Sequence, residues 1–233
     1  MPAYTPPEFI TFTGLDTSSA LAEAEALSQI YPIEWGVLLD PAQVDASLFP
    51  NRTTVTAIRS SPLRLSAHIC GAAARDIALN GDADIDLAGF SRAQINHGVK
   101  GSDEAQIENC AAFGARRGLR PALQCQGAFP QDTRVDWLFD VSFGAGIAPA
   151  QYPAISADNP IVGISGGLGP GNIAAVLRGL QVAPNARYWI DMESRIRTNG
   201  MLDLGKCRAV CEAVFGAGDQ PRQRLAATGK IAT

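Results

Sequence analysis

The chain predicts an α/β fold, a (β/α)8 barrel, and three observations predict it. Short apolar runs alternate with helical patterns eight times along 233 residues. Hydrophobic residues make up 46%, enough for one large core. The segment after the first run, FTGLDT, lacks the G-x-G-x-x-G spacing that would open a doubly wound nucleotide-binding sheet, the competing architecture.

FITFTGL (residues 9–15) reads as the first strand, and Ser18 or Ser19 caps an Ala/Glu/Leu helix that ends before Pro32. IEWGVLLD (33–40) is the second strand, followed by a looser helix around residues 53–60. LRLSAHICG (63–71) is the third, with a short helix over 72–79. FSRAQIN (90–96) is the fourth, and Ser102 caps a helix running to Arg117. PALQCQG (121–127) is the fifth, with only residues 131–135 available for a short helix. DWLFDVS (136–142) is the sixth and leads into a Gly/Pro-rich loop. PIVGISG (160–166) and YWIDMES (188–194) are the seventh and eighth, with helices over 172–180 and 203–215. Residues 1–216 thus form one barrel domain, and the polar, Gly/Ala-rich residues 217–233 read as a flexible tail.

A formal charge of −4 argues against a nucleic-acid partner, which would need a basic face. No apolar run reaches the length of a membrane span, and residues 1–10 show no basic start followed by an apolar run. Neither membrane nor nucleic acid is therefore an expected partner, and a cytoplasmic location is the simplest reading. Cys70, Cys110, Cys125, Cys207 and Cys211 are odd in number and scattered, which suggests no disulfide framework. Cys207 and Cys211 lie four apart on a helix, but the chain has only two histidines, so buried thiols are expected there and no metal.

In such a barrel, ligands bind at the C-terminal ends of the strands. The polar residues there are Thr13, Asp40, His68, Cys70, Gln94, Asn96, Gln124, Gln126, Asp140, Ser165, Asp191 and Glu193. Gln94/Asn96 and Gln124/Gln126 lie two apart, so each pair faces one side of its strand and suits a polar pocket better than an apolar layer. GISGGLGPGNI (163–173) reads as a strand running into a glycine-rich turn, with a helix opening at Pro170 or Gly171. Exposed N–H groups and a helix N-terminus suit a phosphate there, although such turns also end strands for steric reasons alone.

These segments carry a resemblance to phosphoribosylanthranilate isomerase. LFDVSFGAGIAP (138–149) resembles the family's sixth strand, which ends in Asp before a Gly-rich loop. GISGGLGPGNI is similar to its seventh-strand AGGL-x-P-x-NV segment. WIDMES and DLGKCRAVCEAV resemble its eighth strand and last helix, AQINHG its fourth-strand QLHG, and FTGL its opening ICGL. The match is close in units four and six to eight. The resemblance implies a barrel of the ribulose-phosphate-binding type, a small phosphorylated metabolite as partner, and no cofactor. A homodimer is one arrangement it leaves open. It further implies an aldose–ketose isomerisation, an intramolecular oxidoreduction of Amadori type. In that reaction an acid opens the sugar ring and a base removes the C2 proton. Asp140 falls on the general-acid position, with Gly166, Gly167, Asn172 and Ser194 on phosphate-binding positions. Asp191, Glu193, Gln94, Asn96, Gln124 and Gln126 are further ligand candidates from their strand ends. For Asp140 the alternative is a loop cap bonded to its own turn.

The departures are specific. Thr13 stands where the family has its catalytic Cys, and a hydroxyl is a poor base. Leu48 stands nearest an Arg position after the second strand. The eighth loop reads Arg195-Ile196-Arg197 where the family has small residues and Glu, so the two positive charges of Arg195 and Arg197 become candidates for a more anionic ligand, or else for rim salt bridges. His68-Ile69-Cys70-Gly71 on the third strand resembles the family's first-strand Lys-Ile-Cys-Gly. Cys70 with His68 is therefore the candidate substitute base, against a structural thiol and a satisfied core imidazole. His97 is expected in a solvent-exposed loop. Two functions stay open: an isomerase-like barrel, and a binding or regulatory barrel that has lost its base. A purely structural subunit would leave the polar strand ends unexplained, and metal-dependent epimerase barrels need more histidine.

Overall fold

The computed structural model describes residues 4–98, 101–142 and 145–217. Eight parallel strands close in chain order: β1 (Ile10–Thr13), β2 (Ile33–Leu39), β3 (Leu65–Ile69), β4 (Arg92–Ile95), β5 (Arg120–Cys125), β6 (Asp136–Phe139), β7 (Val162–Ile164) and β8 (Tyr188–Met192). β8 pairs back to β1, Thr11 opposite Asp191, which closes the (β/α)8 barrel. The strands are rich in apolar residues because an outer ring of helices covers them: α1 (Leu21–Ile30), α2 (Arg52–Arg59), α3 (Gly71–Asn80), α4 (Glu104–Arg117), α5 (Ile173–Gly179) and α6 (Leu204–Phe215). Cys207 and Cys211 are fully buried on the inner face of α6, where desolvation pushes both thiols up.

Several local expectations are corrected. No helix forms over residues 131–135. Instead Asp132 accepts from the Arg134 N–H at 2.9 Å, a local turn that competes with helix formation. The cap of α4 is Asp103, which accepts from the Gln106 N–H at 2.9 Å in a reciprocal capping box. Ser102 sits beside it, with Oγ 2.9 Å from His97 Nε2. His97 is accordingly buried, and desolvation pulls its pKa down. Thr17, and neither Ser18 nor Ser19, caps the first helical turn. α5 opens at Ile173, later than the glycine pattern suggested. The expected tail lies outside the described residues from position 218 onward. Among the described residues, no helix is long and apolar enough to cross a membrane.

The floor of the barrel is ionic. Arg92 lies 3.8 Å over the Trp189 ring, and Phe9 stacks on that ring at 6.0 Å. The Arg92 guanidinium reaches Asp136 at 3.2 Å, and Glu34 pairs with Arg64 at 3.0 Å while accepting from the Thr11 hydroxyl at 3.0 Å. Buried charges persist only when paired in this way. Gly163 leaves the space that the Trp189 ring fills, since a Cβ there would also meet Leu138 at 2.8 Å. The charged floor and the aromatic stack close the lower end of the barrel, so any ligand must enter from the strand C-termini.

Candidate active site

A cavity of about 270 Å³ occupies that upper end. The strand ends bring Thr13, His68, Cys70, Gln94, Asn96, Gln124, Asp140, Gly166, Gly167, Asp191, Glu193 and Ser194 to its wall. Gln126, Asn172 and Arg197 are not brought to it. β5 stops at Cys125 and the chain turns away at Gly127, which has φ of 89°, so the alternation that pointed Gln126 inward has ended.

On one side the chain from β1, β8 and β3 forms a buried polar line. The Thr13 hydroxyl donates to Asp191 Oδ1 at 2.8 Å, and Thr13 Oγ1 lies 3.5 Å from His68 Nδ1. Gly36 makes this possible: a Cβ there would stand 2.6 Å from Thr13 Oγ1 and 2.8 Å from His68 Nε2. Burial, with the Arg92 charge below, pulls His68 down to about 3, so its imidazole is neutral. His68 Nε2 is buried and has no hydrogen-bond partner among the described residues. Burial pushes Asp191 in the opposite direction, up to about 8, with repulsion from Asp140, Glu193 and Glu34 adding to it and the Thr13 hydrogen bond opposing. Glu193 is raised for the same first reason, against the attraction of Arg197.

Asp140 is held differently. It accepts from Gln124 Nε2 at 3.1 Å, from the Ser142 N–H at 2.8 Å and from the Ser142 hydroxyl at 2.9 Å. The loop-cap arrangement is therefore present, and it fixes the carboxylate at the cavity wall. Cys70 is the N-cap residue of α3, and it accepts from Asn96 Nδ2 at 3.6 Å. Burial raises its thiol, Asp40 and Glu193 raise it further, and only Asn96 opposes. Among the described residues no neighbouring cation lowers its pKa to make it a base.

On the other side stands the glycine turn after β7. Gly166 and Gly167 have φ of 100° and 58°, left-handed values that a residue with a side chain would resist. The Gly166 carbonyl accepts from the Tyr152 hydroxyl at 3.2 Å, and the Gly167 carbonyl from Asn172 Nδ2 at 2.8 Å. Asn172 Oδ1 in turn accepts from the Gly169 N–H at 2.9 Å. Asn172 thus shapes the turn from behind. With both carbonyls tied back, the N–H groups of Gly166, Gly167 and Leu168 reach no acceptor among the described residues.

The two arginines of the eighth loop divide. Arg197 donates to the Gly14 carbonyl at 3.0 Å and the Gly200 carbonyl at 2.9 Å, and it pairs with Asp16. It locks the first loop to the hairpin of β9 (Arg197–Thr198) and β10 (Met201–Leu202). Arg195 is exposed, makes no ion pair among the described residues, and stands against Gly169, where a Cβ would meet its own Cβ at 2.7 Å. Its charge also reaches Tyr152. Tyr152, Ser142 and Gly36 escaped the sequence reading.

No protein-family model matches the chain, and no curated protein matches it. Among solved structures, monomers generated from the dimeric phosphoribosylanthranilate isomerase of Thermotoga maritima superpose with a TM-score of 0.50 at 11% identity, covering 89% of this chain and 98% of that one. A variant of the tryptophan synthase alpha-subunit of Pyrococcus furiosus superposes with a TM-score of 0.52 at 13% identity, covering 92% and 100%. At these identities the likeness establishes the fold. What the barrel does must be argued from its own side chains.

Proposed function

We propose that the barrel binds a small phosphorylated metabolite and catalyses an aldose–ketose isomerisation, with the phosphate on the Gly166–Leu168 turn. The observation that carries this reading is the glycine turn in the cavity wall, which Ser194 also lines: its Gly166, Gly167 and Leu168 N–H groups reach no acceptor among the described residues, while the Gly166 and Gly167 carbonyls are taken up by Tyr152 and Asn172. Arg195 adds charge at the rim. α5 spans only Ile173–Gly179, so the backbone turn matters more than the helix dipole.

The reaction moves a proton from C2 to C1 of an opened sugar, which asks for one group that accepts and one that supplies a proton. Of the three carboxyl groups in the cavity wall, Asp140 and Asp191 stand in contrasting surroundings, a pattern that separates such roles. Asp140 is fixed as a hydrogen-bond acceptor by Gln124 and Ser142, whereas Asp191 keeps its proton near neutrality. In this reading Asp140 is the proton acceptor, in place of the general-acid role that the resemblance implied, because the Gln124 side chain and the Ser142 hydroxyl and N–H all donate to it; Asp191 is the donor, and Thr13 orients Asp191.

The test is solvent exchange at C2 of ribose 5-phosphate and glucose 6-phosphate in deuterium oxide, followed by NMR. Exchange should fall about 100-fold or more in Asp140→Asn and in Asp191→Asn. Exchange that survives both substitutions sinks the assignment. A second reading, a binding barrel without turnover, draws on the raised Cys70 thiol and the commitment of the Thr13 hydroxyl to Asp191. Tight binding of aldose phosphates without exchange would establish it instead.

A further inference from the structure

We propose that the groove on the outside of the barrel, between α2 and the chain that joins α3 to β4, is the interface for a second copy of this chain, docked about a two-fold axis. Val44 of each copy enters the other's groove, and Arg52 of each copy meets the partner's Asp84.

The groove exists because two helices part. α3 leans on α4: Asn109 Nδ2 donates to the Ala78 carbonyl at 2.9 Å, Arg117 pairs with Asp82 at 2.7 Å, and Arg116 donates to the Gly81 carbonyl. α2 has eight residues and is therefore only about 12 Å long. Its tie to the chain after α3 is at the lower end, where Arg59 holds Asp86 at 2.6 and 3.2 Å. Between the two a cavity of about 400 Å³ opens on the outer wall. A parallel barrel needs the outer face of each strand covered. Trp35 and Val37 of β2 are fully buried, but Leu39 is only half-buried and lines the groove. Phe49, Val55 and Ile85 line it half-buried as well, and Val44, in the loop after β2, stands 46% exposed at its upper rim. An apolar strip with a charged rim has the build of an interaction surface.

Charge selects the occupant. Arg52 opens α2 at the upper end of the groove, and Asp84 lies at the lower end, two residues before Asp86. Both are exposed, and neither makes an ion pair among the described residues. Seven residues of helix separate Arg52 from Arg59, so the two ends stand about 10 Å apart along the groove. A surface with opposite charges at its ends is complementary to itself under a two-fold rotation, because each end then meets the other. The same rotation sets Val44 of the upper rim against Ile85 at the partner's lower end. A wholly basic or wholly acidic partner would satisfy one end and be repelled at the other.

Sedimentation equilibrium of the full chain, from about 1 to about 500 μM, tests the interface. A small apolar centre with a charged rim predicts a reversible dimer with a midpoint of roughly 1–100 μM. Arg52→Glu and Asp84→Arg should each weaken it about tenfold or more, since either change sets like charges together at both symmetry-related rims. The two substitutions combined in one chain should restore the dimer, whereas Val44→Glu should abolish it. Thermal melts should stay at the parent's midpoint, because all three positions are on the surface. A parent chain that remains monomeric overturns the inference and leaves the groove to another occupant, residues 218–233 of the same chain included. A dimer that tolerates the single substitutions, or that the combined substitution fails to restore, overturns it as well.

Discussion

Across the seam between β1 and β8, the Thr13 hydroxyl donates to Asp191 Oδ1 at 2.8 Å while Thr13 Oγ1 also lies 3.5 Å from His68 Nδ1. One threonine therefore stands between a carboxyl that burial keeps protonated and an imidazole that burial keeps neutral. If Asp191 is ionised, the hydroxyl proton points to it and His68 Nδ1 carries a hydrogen. If Asp191 is protonated, the chain of donors can run the other way. The proton on Asp191 and the tautomer of His68 are thus linked through Thr13.

Asp191 should make the folded chain less stable as the pH rises. Folded, it titrates at about 8 against an ordinary value of 3.8. Between these values the folded chain holds a proton that the unfolded chain has released. The contribution is therefore fullest below the unfolded pKa and is lost as pH climbs to the folded one. The slope is at most about 1.4 kcal/mol per pH unit. Asp191→Asn keeps an acceptor for Thr13 but removes the titration. Urea unfolding across this window should show the variant gaining on the parent chain as pH rises, and parallel profiles would refute the assignment.

His68 should act with the opposite sign. Its folded pKa of about 3 lies below the ordinary 6.5, so the unfolded chain takes up a proton first and stability falls as pH drops through that interval. Where the two windows overlap, the contributions of Asp191 and His68 offset one another. Gly36→Ala tests the packing that holds the pair together. The added methyl would overlap both Thr13 and His68, and overpacking of this kind costs about 1–3 kcal/mol in a denaturation curve.

The eight strands were legible because a parallel barrel buries both faces of each strand, which leaves unbroken apolar runs. Strand-end pairs such as Gln94 and Asn96 were legible from the two-residue period, and both reach the cavity. The same period failed for Gln126 because the strand ends one residue earlier. The ionic floor was written in the sequence as Glu34, Arg92 and Asp136 inside apolar runs. Their pairing depends on which strands stand opposite, and no local pattern encodes that. Asp140 was found from the motif, but its hydrogen bonds to Gln124 and Ser142 join two strand ends and a loop.

Cys70 should react slowly with iodoacetamide at neutral pH. The thiolate is the reactive form, and burial together with the Asp40 and Glu193 charges disfavours it. Only the Asn96 contact opposes them. Asn96→Asp would replace that donor with another negative group and should slow alkylation further. A rate faster than that of free cysteine would show a thiolate at rest and would revive Cys70 as the base.

Arg195 and Arg197 should separate binding from stability. The Arg197 side chain is 8% exposed, and Asp16, which it meets at Oδ2, is 12% exposed with a buried Oδ1 that has no hydrogen-bond partner among the described residues. Arg197→Ala would strand that carboxylate and release the Gly14 and Gly200 carbonyls, and breaking such a buried pair costs about 3–5 kcal/mol. Arg195 lies on the surface and pairs with nothing among the described residues, so Arg195→Ala should change stability by no more than about 0.5 kcal/mol. Its effect belongs on phosphate affinity, because its side-chain stem lies against Gly169 at the end of the turn. Denaturation and titration of both variants decide the matter. A strong loss of stability in Arg195→Ala, or a stable Arg197→Ala with weakened phosphate binding, would reverse the two roles.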